Sequence, residues 1–258
     1  MDKNILVCES SPEGIFSAVY YAYEKKLNPN TTFLQLDEIV NYELFAKYMF
    51  VETDFEKAQK VDRTIAKRMG DISYTYLWYA LYSREEDRGT AVYRTIARGL
   101  AGAYKGELIN FLQDSYIQKL NKMRQNVWCE AHHYMGFLRF RELNNKILYS
   151  EIKPQNYVLP VIAGHFADRF PKENFLIKDK RRNIYVVHQD GKECLFYKEE
   201  DLEAGIKEVS YSEEEEQIQE LFQIFHAAIA IKERTNLSLQ RQLLPLRFRE
   251  NMVEKFVQ

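Results

Sequence analysis

Histidine and carboxylate residues that could carry chemistry concentrate in the segment E-A-H-H, which begins at Glu130. On an extended strand, Glu130 and His132 would share one face, where they could bind a metal ion or shuttle a proton. His165 and Asp168 add two candidates at the i, i+3 spacing of a helix. We therefore take Glu130, His132 and His165 as candidate catalytic residues. The alternative, which is favoured, is that the histidines are structural side chains with satisfied hydrogen bonds.

Recognised metal and cofactor motifs are absent from the sequence. It contains no H-E-x-x-H pair, no cysteine-rich zinc pattern and no EF-hand loop, so we predict no bound metal. It also lacks the glycine-rich G-x-G-x-x-G and G-x-x-x-x-G-K loops, the G-x-S-x-G nucleophile turn and the kinase signature. We therefore predict no cofactor, and whether the protein is an enzyme stays open.

Arginines form the second group of candidate functional residues. Guanidinium groups suit phosphate oxygens through their planar fork of donors, and such contacts position a nucleic acid without reading its sequence. The candidate nucleic-acid-binding residues are Arg139, Arg141, Arg169, Arg181, Arg182, Arg241 and Arg247. The first two are expected on one strand face. The alternative is that the arginines are ordinary hairpin charges paired with Glu142, Glu151 and Asp179.

An aromatic-rich stretch lies between Tyr74 and Tyr82 and includes Trp78. Its rings could stack on unpaired bases. However, Tyr74, Leu77, Trp78 and Leu81 recur at helical spacing, which favours packing in the core.

The composition limits the class of protein. The 258 residues are 46% hydrophobic and 14% aromatic, which is typical of an ordered globular chain. The net charge of −2 excludes a bulk nucleic-acid coating protein, so any nucleic-acid contact must be local. Three widely separated cysteines indicate free thiols in a reducing compartment. No apolar stretch approaches the roughly 20 residues needed to cross a bilayer, so we expect a cytoplasmic protein without membrane contact.

The order of the elements predicts an α+β fold. Residues 5–8 are predicted to form a buried strand, and helical periodicity dominates the rest of residues 1–126. From Val127 onwards the apolar residues alternate, and turn signals at Asn144-Asn145 and Asp190-Gly191 predict hairpins. We therefore expect an antiparallel sheet over residues 127–200 (strands at about 127–197), crossed by one helix that begins at Pro160.

Residues 201–258 are predicted to form a helix followed by a basic tail. The apolar face of that helix is predicted from the helical spacing of Ile218, Leu221, Phe222, Phe225 and Ile229. No repeat or low-complexity linker divides the chain, so residues 1–258 are expected to form a single α+β unit.

Several segments resemble those of an uncharacterised bacterial family of proposed DNA-metabolism or DNA-repair proteins. They are E-A-H-H-Y-M-G-F-L-R-F-R-E-L from Glu130, P-V-I-A-G-H-F-A-D-R-F-P from Pro160 and I-K-D-K-R-R-N from Ile177. The tail segments R-T-N, L-Q-R and L-P-L-R-F, which lie between Arg234 and Phe248, are similar to the family's closing motif.

This resemblance implies a partner and a setting. Members of the family are typically encoded beside a radical S-adenosylmethionine protein, and related domains are fused to uracil-DNA glycosylase-like domains. The chain has no C-x-x-x-C-x-x-C motif, so iron–sulfur chemistry would belong to the partner. The leading hypothesis is an accessory subunit that contacts DNA and docks such a partner. The alternatives are a hydrolase or base-modifying enzyme that uses Glu130, His132 and His165, and an adaptor without DNA contact.

Overall fold

The computed structural model describes residues 3–38, 42–201, 210–250 and 252 and confirms an α+β protein. The chain divides into two compact units, Met1–Trp128 and Cys129–Gln258. The single α+β unit expected over residues 1–258 stays a prediction, because compactness alone does not show whether the two units fold separately. In the described ranges, no helix is both long enough and apolar enough to span a bilayer.

The first unit contains a small parallel sheet. Its strands are β1 (Lys3–Cys8), β2 (Thr32–Leu36) and β3 (Ala46–Phe50), in the order β2-β1-β3. The expectation of a mainly helical half therefore missed two strands. Both are short and only partly buried, and β2 has a polar residue at each of positions 32 and 35, so neither produces a clear apolar run.

A strand-to-helix turn opens the first unit, as the sequence predicts. Helix α1 (Pro12–Glu24) begins after Ser11, whose hydroxyl accepts a hydrogen bond from the Gly14 backbone N–H at 3.1 Å. Pro12 occupies the first turn, where no backbone donor is needed. Gly14 approaches the strand end so closely that a Cβ there would lie 2.5 Å from the Glu9 carbonyl oxygen.

Further helices contribute to this unit. They are α2 (Phe55–Met69), α3 (Asp71–Leu81), α4 (Arg88–Leu100) and the first part of α5 (Ser115–Phe137). In the aromatic stretch, Tyr76 and Leu77 are buried, and Trp78 packs edge-on against Phe16. These three residues therefore pack in the core, as the helical spacing favoured.

Helix α5 contradicts the predicted change to strand at Val127. The helix continues to Phe137, and its buried residues recur every three or four positions at Val127, Ala131, Tyr134 and Leu138, the last just beyond its end. Large residues on both sides of this stripe produce an apparent alternation between 134 and 140. The helical period is the stronger signal because it is the one that matches burial.

The second unit is built on a five-stranded sheet with one parallel pair. In spatial order the strands are β4 (Arg141–Glu142), β5 (Leu148–Ile152), β6 (Phe175–Asp179), β7 (Ile184–His188) and β8 (Leu195–Lys198). The hairpins β4–β5, β6–β7 and β7–β8 are antiparallel, as predicted. Strands β5 and β6 are parallel, so a wholly antiparallel sheet is wrong at this pair. Helix α6 (Leu159–Arg169) connects β5 to β6. Such a crossover lets the second strand enter the sheet in the same direction as the first.

The described part of the C-terminal segment contains two α-helices. Helix α7 (Glu213–Ile229) forms where the sequence predicts it, and α8 (Leu237–Leu243) follows in the basic tail. Beyond α8, Leu244 and Phe248 are buried in the same core as Tyr134 and Phe166. The tail therefore contributes Leu244 and Phe248 to the core of the second unit.

Candidate functional site

A buried carboxylate on α5 organises the loop after β5. Glu130 is 2% exposed, and its Oε1 accepts a hydrogen bond from the Gln155 backbone N–H at 2.9 Å. Its Oε2 accepts bonds from the Asn156 backbone N–H at 2.8 Å and from the Asn156 side-chain Nδ2 at 2.7 Å. Three donors therefore fix this carboxylate, and the carboxylate fixes the loop.

Arg247 of the tail reaches the same carboxylate. Its Nη1 lies 3.8 Å from Glu130 Oε1, while 46% of the arginine side chain stays exposed. The guanidinium stands 4.7 Å from the centre of the Phe248 ring. Phe248 is buried, stacked on His133 at 4.9 Å and edge-on to Tyr134 at 4.9 Å. The buried ring thus places an arginine at the surface beside a buried negative charge.

A second buried carboxylate lies at the end of β6. Asp179 is fully buried, and its Oδ2 is 3.0 Å from the Nη1 of Arg182. Its Oδ1 accepts hydrogen bonds from the backbone N–H groups of Arg181 at 2.9 Å and Arg182 at 3.3 Å. Burial raises the pKa of Asp179, while the Arg182 guanidinium and the two N–H groups act in the opposite direction.

The two carboxylate–arginine pairs meet at one loop residue. The Gln155 backbone N–H donates to Glu130, and the Gln155 carbonyl accepts a hydrogen bond from Arg182 Nη2 at 2.9 Å. Three of the segments that carry the family resemblance, those containing Glu130, Arg182 and Arg247, therefore come together. We call this group the arginine–carboxylate cluster, and it consists of Glu130, Gln155, Asn156, Asp179, Arg182 and Arg247.

Basic residues beside the cluster divide into two kinds. Lys178 and Lys180 pair with Glu199 at 2.7 Å and Glu151 at 3.1 Å, as ordinary hairpin charges do. Arg181 is exposed, and no ion pair engages its side chain in the part of the chain that the structure describes. Of the seven candidate arginines, Arg182 and Arg247 thus belong to the cluster, and Arg181 borders it.

The other four arginines have other surroundings. Arg139 donates to the carbonyls of Gly136 and Leu138 and caps the end of α5, so it precedes β4 and does not lie on a strand face with Arg141. The guanidinium of Arg141 lies 4.5 Å from the Tyr211 ring centre. The remaining two are exposed, Arg169 at the end of α6 and Arg241 in the last turn of α8.

The predicted catalytic group is not assembled as expected. Glu130 and His132 lie on a helix, where residues two positions apart point to opposite sides, so the shared strand face is wrong. His132 is exposed on α5. His165 lies on α6 against Phe166, and its Nε2 is buried without a hydrogen-bond partner among the described residues. In the same described ranges, no three histidine, cysteine, aspartate or glutamate residues are grouped to hold a metal ion.

Sequence reasoning did not identify Gln155, Asn156 or Phe248 as parts of the site. The loop P-Q-N-Y contains Pro154 and Asn156, which are turn residues between β5 and α6. This signal marks a loop, but it does not reveal that a carboxylate on α5 binds the backbone of that loop.

A family model described as a domain of unknown function, DUF4130, matches residues 86–254. The chain belongs to this family. The DUF4130 region contains every residue of the arginine–carboxylate cluster, together with all three histidine and glutamate candidates.

Other comparisons add little to the DUF4130 assignment. No curated protein matches the chain. A solved structure described as the DHH domain of a member of a family of ribosomal proteins is similar over 73% of this chain and 74% of that chain. Its sequence identity is 9% and its TM-score is 0.33, values too low to support an inference about fold or function.

Proposed function

We propose that this DUF4130 protein binds the phosphates of a nucleic acid through Arg181, Arg182 and Arg247. The observation that supports the proposal is the pairing of two partly exposed arginines with two buried carboxylates around one loop. This arrangement holds guanidinium groups in place at a surface while using only some of their donors.

Preorganisation is the physical reason that such arginines suit phosphate binding. A free arginine side chain loses rotamer entropy when it binds, and a guanidinium already held on one side loses less. Each guanidinium has five N–H donors. Arg182 uses Nη1 for Asp179 and Nη2 for Gln155, and among the described residues Arg247 directs one nitrogen, Nη1, at Glu130. Arg181 adds an exposed positive charge next to this fixed pair.

The proposed role is that of an accessory subunit in DNA metabolism. The three donors on Glu130 support a structural role for that residue, because a general acid or base needs an oxygen that a substrate can reach. The family resemblance implies a radical S-adenosylmethionine partner, and the chain would place DNA for that partner. Arg139, Arg141, Arg169 and Arg241 stay secondary candidates for DNA contact.

Salt-dependent DNA binding tests this proposal. Fluorescence anisotropy with labelled single-stranded and double-stranded DNA between about 50 and 200 mM salt should show an affinity that falls steeply with salt. Arg181→Ala and Arg247→Ala should each weaken binding and reduce the salt slope by about one phosphate contact. Arg63→Ala is the matched control, because Arg63 is an exposed helical arginine of the first unit.

Thermal melting distinguishes a binding defect from a folding defect. Arg181→Ala should melt like the parent, since the Arg181 side chain is exposed. If the Arg181 and Arg247 variants melt normally and bind DNA like the parent at every salt concentration, the nucleic-acid proposal is wrong. The adaptor alternative then replaces it.

A further inference from the structure

Helix α7 presents a continuous apolar face to solvent. Its exposed apolar residues include Leu221 at 65% and Phe225 at 58%, and no residue of the helix is buried. The face consists of Ile218, Leu221, Phe222, Phe225 and Ile229, and Ile224 is exposed on another side of the helix. Exposed apolar patches of this extent in soluble proteins mark interaction surfaces.

Polar contacts join the first turn of α7 to β4 and the turn after it. Glu215 accepts a hydrogen bond from the Glu142 backbone N–H at 3.0 Å, and Glu214 pairs with Lys146 at 2.9 Å. Ser212 caps the helix by accepting a bond from the Glu215 N–H at 3.1 Å. These contacts fix where the helix starts, and the apolar residues that follow are exposed.

Charge is distributed unevenly along this segment. Four glutamates occupy the first turn, whereas one acidic and one basic exposed residue, Glu233 and Arg234, follow the end of the helix. An antiparallel partner with the same sequence would keep the two acidic first turns apart. A parallel copy would bring like charges together, which is unfavourable.

We infer that two copies of this chain associate through their α7 helices, which pack antiparallel with their apolar faces together. If the twofold axis passes near the midpoint between Ile218 and Ile229, those two residues lie level across the pair. Glu213 of one copy then lies near the C-terminal end of α7 in the other, and the two acidic first turns lie at opposite ends of the pair. Such an isologous contact is self-complementary and closes at two copies.

The size of the helix sets the expected strength of the association. A helix of 17 residues is about 25 Å long. A pair of such helices gives an interface at the lower end of the range for specific complexes. The dimer should therefore be in exchange with monomer, with a dissociation constant on the order of micromolar. The association does not depend on nucleic-acid binding.

Sedimentation velocity over a roughly hundredfold concentration range tests the inference. The full chain should shift from monomer to dimer, and the double variant Leu221→Glu with Phe225→Glu should weaken dimerisation at least tenfold. Ala227→Glu is the control, because Ala227 is exposed on the opposite side of the same helix and should leave the dimer intact. All variants should keep the helical circular dichroism of the parent.

Two results of the sedimentation experiment would overturn the inference. If the parent chain stays monomeric at every concentration, the inference is wrong and the apolar face would bind a different protein. A dimer that the double variant does not weaken must use another surface. Because neither result concerns DNA affinity, failure here is distinguishable from failure of the proposed function.

Cysteine crosslinking tests the antiparallel orientation. In a chain whose exposed Cys129 and half-buried Cys194 are replaced by serine, Ile218→Cys should crosslink to Ile229→Cys when the two variants are mixed. Each variant alone should crosslink poorly, since equivalent residues lie far apart in an antiparallel pair. Efficient crosslinking of Ile218→Cys to itself would indicate a parallel pair and contradict the inference.

Discussion

Glu130 and Arg247 form an unequal pair, in which the carboxylate is 2% exposed and the guanidinium 3.8 Å away is 46% exposed. The carboxylate has three further hydrogen-bond donors in Gln155 and Asn156. The arginine is held by this single charge and by the Phe248 ring. Loss of the carboxylate and loss of the arginine should therefore have different effects.

Glu130→Gln should lower the free energy of unfolding by about 1–3 kcal/mol, because one carboxylate oxygen becomes an N–H₂ group facing buried donors. Arg247→Ala should cost less than about 1 kcal/mol, since the half-exposed guanidinium lies 3.8 Å away and three other donors still satisfy the buried carboxylate. Urea denaturation of both variants measures the difference. Equal losses would show that Arg247 is a structural residue, which would weaken its assignment to DNA binding.

Arg182→Ala should destabilise the second unit in a pH-dependent way. Asp179 is fully buried, and removal of its guanidinium partner leaves an uncompensated charge, which costs about 3–5 kcal/mol. Burial already raises the pKa of Asp179, and loss of Arg182 removes the largest opposing influence. The pKa of Asp179 in the folded variant should therefore rise further above its unfolded value.

The sign of the pH effect follows from proton binding. A carboxyl group whose folded pKa is raised binds protons more readily in the folded state, so stability falls as pH rises through the range between the unfolded and folded pKa values. The stability deficit of Arg182→Ala should thus be larger at neutral pH than under acidic conditions. Urea denaturation across this range checks it, with Arg181→Ala as the control. A deficit independent of pH would contradict the ionised state of Asp179.

Local sequence signals correctly predicted elements that depend on interactions between residues close in the sequence. The Asp190-Gly191 turn between β7 and β8 is an example, because Gly191 has a φ of 67°, which glycine adopts without strain. The end of α6 is another, since the helix stops before Pro171. The C-terminal helix α7 also formed at the predicted spacing.

Long-range relationships were not predictable in the same way. The parallel pairing of β5 with β6 depends on the crossover through α6, and the β-turn signals around it do not encode strand direction. The contact of Glu130 with Gln155 and Asn156 joins a helix to a distant loop. A single sequence identifies such residues as polar, but it does not show which of them meet in space. The resemblance marked three of the segments involved without giving their geometry.

The three thiols should differ in reactivity. The thiolate is the reactive form, and burial raises the pKa of Cys8 to about 12, whereas Cys129 is exposed and Cys194 is half-buried. Alkylation of the native protein near pH 8 should modify Cys129 first and Cys8 only after unfolding. Mass spectrometry of timed samples without reductant measures this order. Rapid labelling of Cys8 would show that β1 opens readily, and an intramolecular disulfide would contradict free thiols.

Gly14→Ala should destabilise the first unit, because the new Cβ would lie 2.5 Å from the Glu9 carbonyl oxygen and 2.8 Å from the Glu9 Cβ. The nearest atom belongs to the backbone at the end of β1, so the turn between β1 and α1 must shift. Overpacking of this kind costs about 1–3 kcal/mol. Gly164→Ala is the matched control, since Gly164 lies within α6 with no described atom near the position of the new methyl group, and alanine there should stabilise the helix by about 0.5–1 kcal/mol. Thermal and urea denaturation should move in opposite directions for the two variants. If Gly14→Ala is neutral while Gly164→Ala stabilises, the close approach of α1 to β1 is wrong.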